Sequence, residues 1–139
     1  MPRLLIAEDN QDFARVLRDV AESCGWSVSV FYDGSQLLAG LEALSVPALL
    51  LVDINMPNVD GIGVASALSS PDFPRGLRIR FMTGVSDTHA VAAKMIAQAR
   101  DHFPGQTLYK PIELDTLRGV LDEEAARLTG EPDTSNPSG

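Results

Sequence analysis

The stretch Ala48-Leu49-Leu50-Leu51-Val52-Asp53, followed by Ile54-Asn55-Met56-Pro57-Asn58-Val59-Asp60-Gly61, joins a fully apolar run to a carboxylate. Five consecutive apolar residues predict a strand that is buried on both faces, as the central strands of a parallel sheet are. A carboxylate at the end of such a strand is costly to desolvate unless a cation or hydrogen bonds compensate. Asp53 therefore indicates a functional site where this strand ends.

Strand and helix patterns alternate along the rest of the chain. Apolar runs predict strands over 4–7, 27–31, 48–53, 77–82 and 107–109. Helical spacing of apolar residues predicts helices over 11–24, around 37–44, over 61–69, around 91–99 and around 114–128. Five β-α units in succession predict one α/β domain, a doubly wound parallel sheet with helices on both faces. We expect this domain to span residues 1–128 and the polar tail 129–139 to be disordered.

The length, charge and cysteine content of the chain limit the kinds of protein it can be. The chain has 139 residues, a formal charge of −8 and one cysteine, Cys24, which we interpret as a small core residue. The negative charge disfavours direct binding to nucleic acid or to anionic membrane. No apolar stretch approaches the ~20 residues of a membrane span, and the start of the chain lacks a signal-peptide layout. We therefore expect a cytoplasmic protein without membrane insertion.

Polar residues follow four of the predicted strands. They are Glu8-Asp9, Asp53, Thr83 and Lys110. The carboxyl ends of parallel strands meet at one edge of the sheet, so these side chains are expected to form one site. Three carboxylates there repel one another, and a divalent cation removes the conflict. Oxygen ligands favour magnesium or manganese over zinc.

The same residues suit phosphoryl chemistry. A carboxylate beside a metal ion and an ammonium group can attack phosphorus and form an aspartyl phosphate, with Asp53 as the nucleophile. Lys110 would neutralise the phosphoryl oxygens, and the Thr83 hydroxyl would donate a hydrogen bond to one of them. Gly84 has no side chain and leaves room for the incoming group.

With these motifs the chain resembles a response-regulator receiver domain of two-component signalling, of the chemotaxis-receiver kind. The resemblance covers about residues 3–128. It implies a (βα)5 fold with the flavodoxin-like strand order 2-1-3-4-5. The residues that carry it are Glu8-Asp9, the stretch 53–61, Thr83-Gly84 and Lys110-Pro111.

The resemblance also implies a role for each site residue. Asp53 would accept a phosphoryl group from a histidine kinase or a histidine phosphotransfer protein. Asp9 and Asp53 would bind Mg²⁺ directly with the backbone carbonyl of Asn55, and Glu8 would help through water. Lys110 would hold the phosphoryl group, and the Lys110-Pro111 bond would be cis.

The family likeness further implies a signalling domain that catalyses only its own phosphorylation and dephosphorylation. Phosphorylation would switch binding to a downstream effector protein through the face formed by the fourth and fifth strands. No output domain follows in the sequence, so we expect a stand-alone receiver, either a monomer or a weak dimer.

Two features depart from the family pattern. Thr107 lies three residues before Lys110, where receivers usually have an aromatic residue, and Tyr109 is the nearest aromatic. The 27 residues from Thr83 to Lys110 exceed the usual spacing, which predicts a longer helix or an extended loop over 101–105.

Other functions stay open. A phosphate shuttle or sink in a phosphorelay uses the same residues without a partner-specific output. A phosphohydrolase on a related scaffold has a second acid two residues after the nucleophile, where this chain has Asn55. A phosphorylation-independent scaffold is suggested only by Thr107.

Some residues carry no functional signal of their own. His89 and His102 are interpreted as surface residues because neither is spaced to match the acids. Trp26 is expected to pack between the first helix and the second strand. Arg78 and Arg80 alternate on a strand whose faces should both be covered, and the sequence gives no reason for them.

Overall fold

The computed structural model describes residues 1–42, 44, 47–56, 58–74, 76–84, 93, 94, 96 and 102–128. The strands are β1 (Arg3–Ala7), β2 (Ser27–Phe31), β3 (Ala48–Asp53), β4 (Arg78–Thr83), β5 (Phe103–Pro104) and β6 (Leu108–Tyr109). The helices are α1 (Gln11–Ser23), α2 (Gly34–Leu41), α3 (Gly61–Ala67) and α4 (Leu114–Leu128). Ala93, Lys94 and Ile96 are also helical, within the helix predicted around 91–99. The rest of that helix and the tail 129–139 lie outside the described residues.

The strands form one parallel sheet in the order β2-β1-β3-β4, with β5 and β6 both pairing with the far side of β4. This confirms the predicted doubly wound α/β fold. β3 lies in the middle of the sheet and all six of its residues are buried. A uniformly apolar sequence is what a strand covered on both faces requires.

The last position of the sheet differs from the prediction of one strand over 107–109. It is divided between β5 and β6, and Phe103–Pro104 lies in a segment that we predicted to be a loop. The N–H groups of Phe103 and Gly105 donate to the carbonyls of Leu77 (2.8 Å) and Ile79 (2.9 Å). The extra length between Thr83 and Lys110 is thus partly used to lay a second short strand along β4.

Helix starts follow the strand ends closely because polar side chains cap them. The side-chain Oδ1 of Asn10 accepts from the Phe13 N–H, and the side chains of Asp33 and Asp60 cap α2 and α3 in the same way. Such caps satisfy backbone donors that a helix start leaves unpaired. They keep the connections at the carboxyl edge of the sheet short.

The sheet separates two apolar clusters because successive strand residues point to opposite faces. Leu5, Leu50 and Phe81 lie with α2 and α3 in one cluster. The other cluster contains strand, α1 and α4 residues together with Trp26, which is 1% exposed, and the half-buried Cys24 packs against it. Among the described residues, no helix is long and apolar enough to span a membrane.

Candidate functional site

Strand register brings the predicted polar residues to one edge of the sheet. The last residue pair of β1 and β3 is Ala7 with Val52, and the last pair of β3 and β4 is Asp53 with Met82. The last pair of β4 and β6 is Thr83 with Tyr109. Each strand therefore ends at nearly the same level. Asp53 and Thr83 are the last residues of β3 and β4, and Glu8-Asp9 and Lys110 directly follow β1 and β6, as the strand-end argument requires.

Three carboxylates meet at this edge. One oxygen each from Glu8, Asp9 and Asp53 lies within 4.8 Å of the other two. Glu8 and Asp53 are buried, whereas Asp9 is exposed. The cluster is therefore enclosed by protein on one side and open to solvent at Asp9.

Lys110 is the cation of the cluster. Its Nζ lies 2.7 Å from Glu8 Oε1 and 3.1 Å from Asp53 Oδ2. The same Nζ lies 5.0 Å from the centre of the Phe13 ring, within the range of a cation–π interaction. The apolar spacing that predicts a helix over 11–24 carries no signal for this contact. One ammonium group thus faces three carboxylates.

The titration behaviour of Glu8 and Lys110 reflects this imbalance. Burial raises the pKa of Glu8 from 4.5 to about 7, outweighing the hydrogen bonds from Lys110 and from the Asn10 N–H, and the charge of Asp53 raises it further. Burial lowers the pKa of Lys110, but hydrogen bonds to Glu8 and Asp53 outweigh it, and the net shift is upward. Without a bound cation the site is short of positive charge.

Backbone contacts fix the carboxylate of Asp53. The Asn55 N–H donates to Asp53 Oδ1 at 3.1 Å, and the Ile54 N–H donates to the Met82 carbonyl at 2.9 Å. A Cβ at Gly61 would lie 2.8 Å from Ile54 Cα, so this close approach needs glycine.

Thr83 and Gly84 lie at the end of β4, at the same edge of the sheet as the carboxylates. Thr83 is fully buried, and its Oγ1 has no hydrogen-bond partner within the described part of the chain. A buried hydroxyl without a hydrogen bond is unusual in a folded protein, and it points to a ligand that would bind here. Gly84 is exposed, and a Cβ there would have no atom within 4 Å, which agrees with the predicted open space.

The Lys110-Pro111 bond is cis, as predicted from the family likeness. Thr107 is half-buried just before β6, and Tyr109 is 51% exposed. The aromatic ring nearest the usual family position is therefore directed largely to solvent in this conformation.

The prediction that His102 is a surface residue is wrong. His102 is buried, its Nδ1 accepts from the Leu77 N–H at 3.2 Å, and its Nε2 lies 3.0 Å from the Leu68 carbonyl. These partners require a neutral ring with the proton on Nε2. The residue anchors β5, a role that its place in a predicted loop did not indicate. His89 lies outside the described residues.

Comparison with known proteins gives one consistent result. The family model of the response regulator receiver domain matches residues 4–122. The receiver protein CpdR of Brucella abortus (strain 2308) is 36% identical over 124 residues, which cover 88% of this chain and 96% of CpdR. The DNA-binding response regulator MtrA of Mycolicibacterium smegmatis is 31% identical over 91% of this chain. The chain spans only about half of MtrA, 55% of its length.

Solved structures agree on the fold. A CheY-like response regulator receiver domain protein from Methanospirillum hungatei JF-1 superposes with a TM-score of 0.77 at 16% identity, over 94% of this chain and 98% of that one. The chemotaxis protein CheY4 of Vibrio cholerae gives a TM-score of 0.73 at 20% identity, over 88% of this chain and 98% of CheY4. At these identities the likeness establishes the parallel sheet with flanking helices.

Proposed function

Because the chain belongs to the response-regulator receiver family, a family of signalling domains, we propose that Asp53 is a phosphoacceptor that controls binding to another protein. The observation that carries the proposal is the composition of the carboxyl edge. A buried aspartate lies there with two further carboxylates, one lysine and a buried hydroxyl that has no partner among the described residues. We propose that residues 1–128 act as one receiver unit.

The donor set fits Mg²⁺. Three carboxylates with one ammonium group leave an excess of negative charge, and all the donor atoms are oxygens, which a hard cation prefers. Asp9, Asp53 and the backbone carbonyl of Asn55 would hold the ion, with Glu8 acting through water. Magnesium bound there supplies charge neutralisation for the carboxylates and for the incoming phosphoryl group.

The chain's own residues account for the transfer step. The Asp53 carboxylate attacks phosphorus, a P–O bond forms, and the bond to the leaving nitrogen of a phosphohistidine breaks with its electron pair going to the imidazole. Lys110, whose raised pKa keeps it charged, donates to the phosphoryl oxygens together with the Thr83 hydroxyl. Gly84 leaves the space that the phosphoryl group enters.

The signal is proposed to leave through the face of β4 and β6. Thr83 ends β4, and its carbonyl accepts from the Lys110 N–H at 2.8 Å, so both phosphoryl-binding residues are joined to these strands. Tyr109 pairs with Thr83 across the two strands, directly precedes Lys110 and is exposed. The phosphoryl donor is a histidine kinase or a histidine phosphotransfer protein. The protein that receives the signal is an effector, and the receiver binds it as a monomer or weak dimer. A cytoplasmic location stays a prediction.

A shuttle or sink without a partner-specific output is the second candidate. The observation that favours it is the outward position of Tyr109 together with Thr107 at the usual aromatic position. Measuring the affinity of a candidate effector with and without phosphorylation separates the two. Equal affinities favour the shuttle.

The test of the phosphoacceptor is incubation with acetyl phosphate and Mg²⁺, followed by intact-mass measurement. We expect the mass of one phosphoryl group to be added to the wild type and not to Asp53→Ala. Asp60→Asn is the matched control, because Asp60 lies in the same loop and asparagine preserves the cap of α3. Phosphorylation of Asp53→Ala, or the absence of labelling in the wild type, would refute the assignment.

A further inference from the structure

The opposite end of β4 carries a second charged cluster that the proposed function does not use. Arg78 begins this strand and Thr83 ends it, so the two clusters are about 17 Å apart along the strand. A cavity of about 520 Å³ lies here, lined in part by Arg78, Arg80, Lys94, Glu123 and Arg127.

The arginines of this cluster are held firmly. Arg78 and Arg80 both donate to the buried carboxylate of Glu124, the latter through Nε at 2.9 Å, and Arg80 Nη1 also donates to the Gln106 carbonyl at 3.2 Å. A Cβ at Gly105 would collide with the Arg80 side chain. Arg80 is 7% exposed at its side chain and has no room to move, so its guanidinium is a fixed part of the cavity wall.

Among the described residues, more cations than carboxylates lie at this cavity. The cations are Arg78, Arg80, Lys94 and Arg127, and the carboxylates are Glu123 and Glu124, which gives these described side chains a formal charge of +2 in a chain whose total is −8. Lys94 is half-buried and has no carboxylate partner within the residues that the structure describes. A network built only to stabilise the fold would not need a lysine at an open cavity that none of the described carboxylates contacts.

We propose that this cavity binds a small multivalent anion that carries phosphate or carboxylate groups. Guanidinium and ammonium groups that converge on one space are the usual partners of such oxyanions. The volume lies in the range of roughly 300–1,000 Å³ that is typical of small-molecule sites. Lys94 is the principal anion ligand, and Arg127 lines the same cavity.

The experiment is calorimetric titration with pyrophosphate and, separately, with citrate at constant ionic strength. Divalent cations are left out, since the carboxylates at the other end of the sheet then repel anions. We expect saturable binding of at least one probe, and the tighter probe identifies phosphate or carboxylate chemistry. Lys94→Gln should weaken binding by about tenfold or more, as expected for loss of a charge-assisted contact.

Two further variants make the result decisive. Arg127→Gln provides an independent change in the cavity if Lys94→Gln does not fold, and it should also weaken binding. Arg118→Gln removes one positive charge from the exposed side of α4, where Arg118 pairs with Asp115, and should leave binding unchanged. The proposal is overturned if neither probe binds, if Arg118→Gln weakens binding equally, or if a peptide of acidic residues binds more tightly than both probes.

Discussion

β4 joins two buried charged clusters that differ in how their charges are matched. At its carboxyl end, three carboxylates share one lysine, and Glu8 has a pKa raised to about 7. At its amino end, Glu124 is contacted by two arginines through several hydrogen bonds. At the amino end the arginines link β4 to α4 through Glu124, whereas at the carboxyl end three carboxylates with one lysine create a demand for a cation and hence for chemistry.

The largest effect is expected from Glu124→Gln. It leaves Arg78 and Arg80 buried with one neutral acceptor, and breaking a buried pair in this way costs about 3–5 kcal/mol of unfolding free energy. Denaturant unfolding measures the loss. Glu123→Gln is the matched control on the same helix, because Glu123 is half-exposed and its ion pairs contribute about 1 kcal/mol or less. Equal stabilities of the two variants would contradict the scaffold role of the amino-end cluster.

The next effect concerns pH and the carboxyl end. The Glu8 pKa is 4.5 ordinarily and about 7 in the folded protein, so between these values the folded state holds a proton that the unfolded state has lost. The stability of metal-free protein should therefore fall as the pH rises from 4.5 to about 7, by up to ~3 kcal/mol, and level off above.

Glu8→Gln should remove this dependence and, with chelator present, be more stable than the wild type at neutral pH. Glu22→Gln, at an exposed ion pair of α1, should keep the wild-type profile. Unfolding free energies at several pH values, taken as differences between variants, provide the measurement. A wild-type slope that survives in Glu8→Gln would show that another group is responsible.

The smallest effects compare two glycines. Gly105→Ala places a methyl group against Arg80 and should destabilise the protein by about 1–2 kcal/mol through overpacking. Gly119→Ala lies on the exposed side of α4 with nothing within 4 Å, and should stabilise by about 0.5–1 kcal/mol. Thermal unfolding of both variants gives the comparison. Opposite signs are expected, and a stabilising Gly105→Ala would show that Arg80 is free to move.

The sequence predicted the parts that depend on local pattern. Runs of apolar residues, and the points where those runs stop, predicted strands β1 to β4, the acids after β1 and the aspartate at the end of β3. β5 was not predicted because two residues are too few to show the alternation of apolar and polar residues that marks a strand. Its hydrogen bonds go to Leu77 and Ile79, which are distant in the sequence.

The amino-end cluster was unpredictable for a related reason. Arg78 and Arg80 had no evident partner, and Glu124 lies on a helix where a glutamate is ordinarily taken as solvated. Their pairing spans 46 and 44 residues of sequence and exists only once α4 packs on the sheet. The burial of the Thr83 hydroxyl, with no partner in the described part of the chain, likewise depends on tertiary packing and could not be predicted from the sequence.

Trp26 is an intrinsic fluorescent probe of this protein. It is the one tryptophan of the sequence, its ring is enclosed in the apolar cluster beneath α1 and α4, and the next residue, Ser27, pairs with Arg3 at the start of β1. The ring thus lies at the end of the sheet opposite to Glu8 and Asp53. Its fluorescence should report loss of the packed interior while remaining nearly silent to events at the carboxylates, so folding can be followed separately from ion binding and phosphorylation.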